Sequence, residues 1–160
     1  MSSIRKLNLW DSSDDASILD GCTFKLDSFQ TTFRYSESLQ NFLNSQPSLM
    51  HLTIWKDYEP LPPFDEKCLP NLTRVRAMPS WLRMLIPGRP VREVYMIPPL
   101  TADSVDWSFF TLSTTPIQKL WIHYNMLYPK PVSLLVSIFP CLEYLWLQGY
   151  DVRVPLCWSI

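Results

Sequence analysis

The chain has 160 residues, 47 % of them apolar and 18 % charged, which suits one ordinary domain with a buried core and excludes a disordered tail. Fourteen basic against fifteen acidic side chains give a net charge of −1, so nothing suggests a strongly basic nucleic-acid binder. Fifteen prolines against three glycines exclude long uninterrupted helices, because each proline removes a backbone donor and tends to end its element.

From the N-terminus onward, one pattern returns seven times: apolar, two variable residues, apolar, one variable, apolar. It reads Ile4-Arg-Lys-Leu7-Asn-Leu9, Leu26-Asp-Ser-Phe29-Gln-Thr31, Leu49-Met-His-Leu52-Thr-Ile54 and Leu72-Thr-Arg-Val75-Arg-Ala77. It continues as Val91-Arg-Glu-Val94-Tyr-Met96, Ile117-Gln-Lys-Leu120-Trp-Ile122 and Leu142-Glu-Tyr-Leu145-Trp-Leu147. Successive starts lie 22, 23, 23, 19, 26 and 25 residues apart, and Thr31 is the one polar residue at a pattern position. Physically, this is a turn running into a short strand whose alternate residues point inward. A strand that short cannot bury its own apolar face, so copies must stack, which predicts a parallel sheet along a solenoid.

Between the strands, Leu39, Phe42 and Leu43, then Trp81, Leu82, Leu85 and Ile86, then Val132, Leu135, Val136 and Phe139 carry apolar residues three and four apart. These spacings predict return helices of one to three turns with a single buried stripe. Pro47, Pro70 and Pro140 sit two residues before a pattern start, and Pro90 and Pro116 one before. There they are expected to stop the helix and set an extended approach to the strand. The expected architecture is α/β: a leucine-rich-repeat-like right-handed solenoid of about seven irregular repeats, with a parallel sheet on the concave face and short helices on the convex one. Residues 1–150 form this domain and 151–160 a C-terminal tail.

The segments 39–54, 69–82 and 85–91 resemble the divergent leucine-rich repeats of fungal F-box proteins, and the resemblance extends from about Ile4 to Leu147. It implies substrate recognition for a ubiquitin ligase. The usual repeat has Asn or Cys three residues after its last apolar strand position, where the side chain bonds the turn's backbone. Here those positions hold Ser12, Arg34, Asp57, Ser80, Pro99, Asn125 and Tyr150, of which Asn125 alone conforms. The turns must therefore be satisfied differently from repeat to repeat. An F-box would precede the repeats, and a first strand at Ile4 leaves no room for one. Docking onto the ligase is therefore doubtful.

Residues between the apolar positions should project from the concave face. They include Lys6, Trp10, His51, Trp55, Arg74, Arg76, Glu93, Tyr95, Lys119, Trp121, His123, Tyr144 and Trp146. Four of the seven tryptophans fall there, and Trp, Tyr and Arg are the types enriched where a surface binds a partner. Trp55, Arg74, Arg76, Tyr95, Trp121, His123, Tyr144 and Trp146 are accordingly the candidate partner-binding residues. Trp10 and Trp55, just past their strands, can alternatively fold over the sheet edge as packing. Arg74 and Arg76 beside Glu93 read either as a surface ion pair worth little or as acceptors of an acidic or phosphorylated segment.

No catalytic spacing is present: there is no GxSxG, no HExxH and no glycine-rich phosphate loop. Cys22, Cys68, Cys141 and Cys157 lie far apart, and Cys68 and Cys141, beside prolines, are expected at buried corners. His51 and His123 fall three strand steps apart, too far to share a metal. Asp11, Asp14 and Asp15 read as a solvated loop. No cofactor and no metal are expected. Without a signal peptide or an 18-residue apolar run, a cytoplasmic or nuclear protein is expected, with no membrane contact. A protein or peptide target is the leading expectation. A Cys/His enzyme in the groove and weak RNA binding through Arg74 and Arg76 are the alternatives.

Overall fold

The computed structural model describes residues 4–10, 15–56, 64–65, 67–98, 106–127 and 133–149. Asp11, Asp14, Val132, Cys157 and the tail 151–160 lie outside the described residues.

The repeated pattern forms a seven-stranded, all-parallel sheet: β1 (Lys6–Leu9), β2 (Ser28–Thr31), β3 (His51–Ile54), β4 (Arg74–Ala77), β5 (Glu93–Met96), β6 (Lys119–His123) and β7 (Tyr144–Gln148). Strand order follows chain order from β1 to β7, each strand pairing with the next. The register sets like on like: Leu7, Phe29, Leu52, Val75, Val94, Leu120 and Leu145 form one continuous row. Each strand start repeats one hydrogen-bond fork. The N–H groups of Asp27 and Ser28 both reach the Arg5 carbonyl, and those of Met50 and His51 reach Asp27. Thr73 and Arg74 then reach Met50, Arg92 and Glu93 reach Thr73, Gln118 and Lys119 reach Arg92, and Glu143 and Tyr144 reach Gln118. All twelve bonds span 2.8–3.1 Å.

One face of the sheet holds the core. Every pattern position from Leu26 to Ile122 is buried, and Thr31 belongs there because its hydroxyl accepts from the Phe33 N–H at 3.0 Å. Burial weakens at both ends, where Leu7, Leu9, Leu145 and Leu147 are half-buried and Ile4 is 52 % exposed. Among the described residues, those edge rungs have a neighbouring strand on one side only.

Short helices return the chain. In α1 (Glu37–Asn44), Ser36 caps the first turn by accepting from the Leu39 N–H, and Leu39, Phe42 and Leu43 face inward. In α2 (Pro79–Leu85), proline occupies the first turn, where its missing N–H costs nothing, and Trp81, Leu82 and Leu85 are buried. In α3 (Ser133–Ile138), Leu135 is buried, as is Phe139 just beyond. Ala16–Leu19, Ser108–Leu112 and Tyr124–Met126 are 3₁₀ turns, which helical spacing alone did not anticipate.

Three expectations are corrected. Pro47, Pro70 and Pro140 do not set an extended approach. Each is the second residue of a tight turn closed by the N–H of Leu49, Leu72 or Leu142 donating to Gln46, Leu69 or Phe139. Proline's fixed φ suits that position of a β-turn, which is why it recurs there. Asn125 is exposed in a 3₁₀ turn, because the chain coils immediately after β6 and carries the amide outward. Cys141 is exposed too, since it occupies a turn leading into the edge strand β7, whereas Cys68 is buried.

Backbone groups in the turns are satisfied by a different side chain each time. Buried Gln46 accepts from the Leu26 N–H at 2.9 Å and donates to the Phe24 carbonyl at 3.1 Å. Arg89, 1 % exposed, donates to the carbonyls of Cys68, Met84, Pro87 and Asp65 at 2.7–2.9 Å. The Trp81 indole donates to Lys56 at 3.0 Å, and Ser113 donates to Arg89 and Val91, both at 2.9 Å.

Candidate functional site

Because side chains alternate along a strand, burying one row exposes the other. On the face opposite the core, the strand starts line up as Lys6, Ser28, His51, Arg74, Glu93, Lys119 and Tyr144. Two residues further on, the row reads Asn8, Gln30, Thr53, Arg76, Tyr95, Trp121 and Trp146. The first row is charged in its middle, and the second turns aromatic from β5 onward.

Glu93 organises the charged row. Its carboxylate accepts from Arg74 at 2.6 Å and from Lys119 at 2.9 Å, so one anion is shared by cations on both neighbouring strands. Partial burial would push the Glu93 carboxyl up, but the bonds and charges of Arg74 and Lys119 outweigh it and hold the carboxyl below its ordinary range. The same bond, with the charge of Glu93, raises Lys119. His51, registered with Arg74, is lowered by burial first and by the Arg74 charge second, which favours its neutral form.

In the second row, Tyr95 and Trp121 stack with ring centroids 3.9 Å apart and planes within 11°. Nearly parallel rings on adjacent strands must stand upright on the sheet, with their edges toward solvent. Trp146, registered beside Trp121 on β7, is 50 % exposed, and Tyr144 is 60 % exposed. The Lys119 ammonium lies 5.7 Å from the Tyr144 ring, a weak cation–π contact.

A second stack stands over β3 and β4. The Arg76 guanidinium lies 4.2 Å from the Trp55 ring centroid, and Trp10 tilts against Trp55 at 5.7 Å. Trp55 is therefore half-buried beneath its neighbours, and its indole N–H is buried without a hydrogen-bond partner among the described residues. Trp10 is exposed. The packing role anticipated for these two rings fits Trp55 more than Trp10.

The eight candidates thus share one face without playing equal parts. Arg74 is engaged by Glu93, whereas Arg76 lies over Trp55, so the expectation of a common pair with Glu93 holds for Arg74 alone. His123 lies close beneath the chain leaving β7: a Cβ on Gly149, whose φ is +101°, would meet its ring at 2.9 Å. Lys119 was absent from the candidates although it completes the Glu93 bridge. Its place, one rung after Glu93 in the same pattern position, was the available signal.

Among the described residues, no three His, Cys, Asp or Glu side chains gather where they could hold a metal ion. Burial raises the Cys68 thiol above its ordinary value, which suppresses the nucleophilic thiolate. No helix among the described residues is long and apolar enough to cross a membrane. No family model, no curated protein and no solved structure matches the chain.

Proposed function

We propose that the chain is a leucine-rich-repeat-like solenoid that captures a protein segment on its open, concave sheet face. Support for the repeat reading comes from the recurring fork at the strand starts and the like-on-like register of the apolar row. Those features make each rung an equivalent of the last, which is how stacked repeats bury a shared core. One observation carries the binding role: the upright Tyr95–Trp121 pair, continued by half-exposed Trp146 on the face away from the core. Large rings with few torsions to freeze give contact area at low entropic cost.

By its resemblance to fungal F-box repeats, the chain would select substrates for ubiquitin ligation. In that role the sheet face reads the target, and the docking of the ligase belongs to another segment. Burial, which raises the Cys68 thiol, disfavours that cysteine as the nucleophile of the alternative Cys/His enzyme.

A capture experiment from cell extract tests this. Wild-type chain should retain a reproducible partner, and Trp121→Ala/Trp146→Ala should lose at least about tenfold of it while the circular-dichroism melt moves by only a few degrees. Retention by the double variant would place the binding surface elsewhere. Unfolding of the variant would show those rings to be core.

A further inference from the structure

The open face carries a charge that the whole chain does not. Among the described residues of the two outward-facing strand rows, Lys6, Arg74, Arg76 and Lys119 stand against one carboxylate, Glu93, while the complete chain has a net charge of −1. Glu93 is already shared by Arg74 and Lys119. Arg76 differs from both: it is exposed, and among the described residues it makes no hydrogen bond or ion pair, only its stack on Trp55. Stacking holds a guanidinium by its face and leaves its in-plane N–H fork available to a ligand. Arg76 is also registered directly beside Tyr95, so the fork opens next to the Tyr95–Trp121 ridge.

What meets such a fork follows from ring orientation. Tyr95 and Trp121 cover one face of each other, and Arg76 covers a face of Trp55. A nucleobase stacks on an open ring face, and the mutual stack removes one face of each ring from that use. Upright rings present their electropositive edges instead, and those edges favour oxygen anions.

Resting on the protein-capture reading of this face, we propose that its target is an acidic, extended peptide whose Asp or Glu carboxylate is held by the Arg76 fork between the Trp55 stack and the Tyr95–Trp121 ridge. A carboxylate matches the planar, two-pronged donor geometry of arginine, and the surplus positive charge of the face steers an acidic segment toward it. Apolar side chains flanking the acid would lie along the ridge.

Panning a randomised dodecapeptide library on the immobilised full chain tests the proposal. Enriched sequences should contain Asp or Glu beside apolar residues. A synthetic dodecapeptide from that set should lose about tenfold or more in affinity toward Arg76→Gln, and similarly when its own acid is replaced by the amide. Arg76→Lys, which keeps the charge but not the fork, should fall between wild type and Arg76→Gln. Enrichment of neutral or basic peptides, or acidic ones indifferent to Arg76→Gln, would overturn the acidic assignment and leave peptide capture standing. Tighter binding of oligo-uridylate than of any enriched peptide would overturn it in favour of nucleic acid. If the wild-type chain enriches no peptide, or enriches peptides that bind Trp121→Ala equally well, the capture reading itself fails. Arg76 is exposed, so both of its variants should melt as wild type does.

Discussion

Glu93 and His51 sit one strand apart from Arg74 on either side, and both make the open face sensitive to acid. The Glu93 carboxyl is held below its ordinary 4.5, so its contribution to stability is complete above that pH and lost as pH falls through the lowered folded value. His51 is held below its ordinary 6.5, so its contribution is complete above 6.5 and lost as pH falls through its own lowered value. Urea melts between pH 7 and pH 3 should therefore weaken in two stages. His51→Gln should flatten the upper stage and leave the lower, while Glu93→Gln should do the reverse. A wild-type profile unchanged by either substitution would contradict the assigned environments. The residues of this site were legible in the sequence because the strand pattern fixes which side chains face out. Their pairings were not. Arg76 was read beside Glu93, but a neighbour two residues away along a strand lies roughly 7 Å off, and the guanidinium reached the Trp55 ring instead.

At the scale of elements, the strands were the most legible part, since a period of two with a fixed 1-4-6 spacing marks the buried row directly. The helices α1 and α2 followed from their apolar stripes, and the structure adds the Ser36 cap and the first-turn Pro79 at their starts. The turns were opaque. Gln46 and Arg89 are polar residues before a proline, yet both are buried, where their side chains satisfy backbone groups of the turns. The signal lay in the dipeptides Gln46-Pro47 and Arg89-Pro90, where a polar side chain precedes the proline leading into a strand. Removing Arg89 would strand four carbonyl partners and leave a hollow beside Cys68 and Met84. Arg89→Ala should cost about 3 kcal/mol or more in a urea melt, well above the ordinary surface substitution. A loss below about 1 kcal/mol would mean that water takes over those bonds.

On the scale of the whole molecule, each strand pairs only with its neighbours in the chain, and the outermost rungs are half-covered. Stability in such an array should decline from the middle toward both ends, because an interior strand has two interfaces and an edge strand one. The aromatic ridge depends on that order: Tyr95 and Trp121 meet only because β5 and β6 are adjacent and in register. Native-state amide hydrogen exchange reads this most directly. The account predicts slow exchange for both fork donors at every strand start from Met50 and His51 to Gln118 and Lys119, with the slowest amides on β3, β4 and β5 and faster ones on β1 and β7. Fast exchange at Thr73, Arg74, Arg92 and Glu93 alongside protection elsewhere would contradict it, since the central rungs could then not be stacked in sequence order.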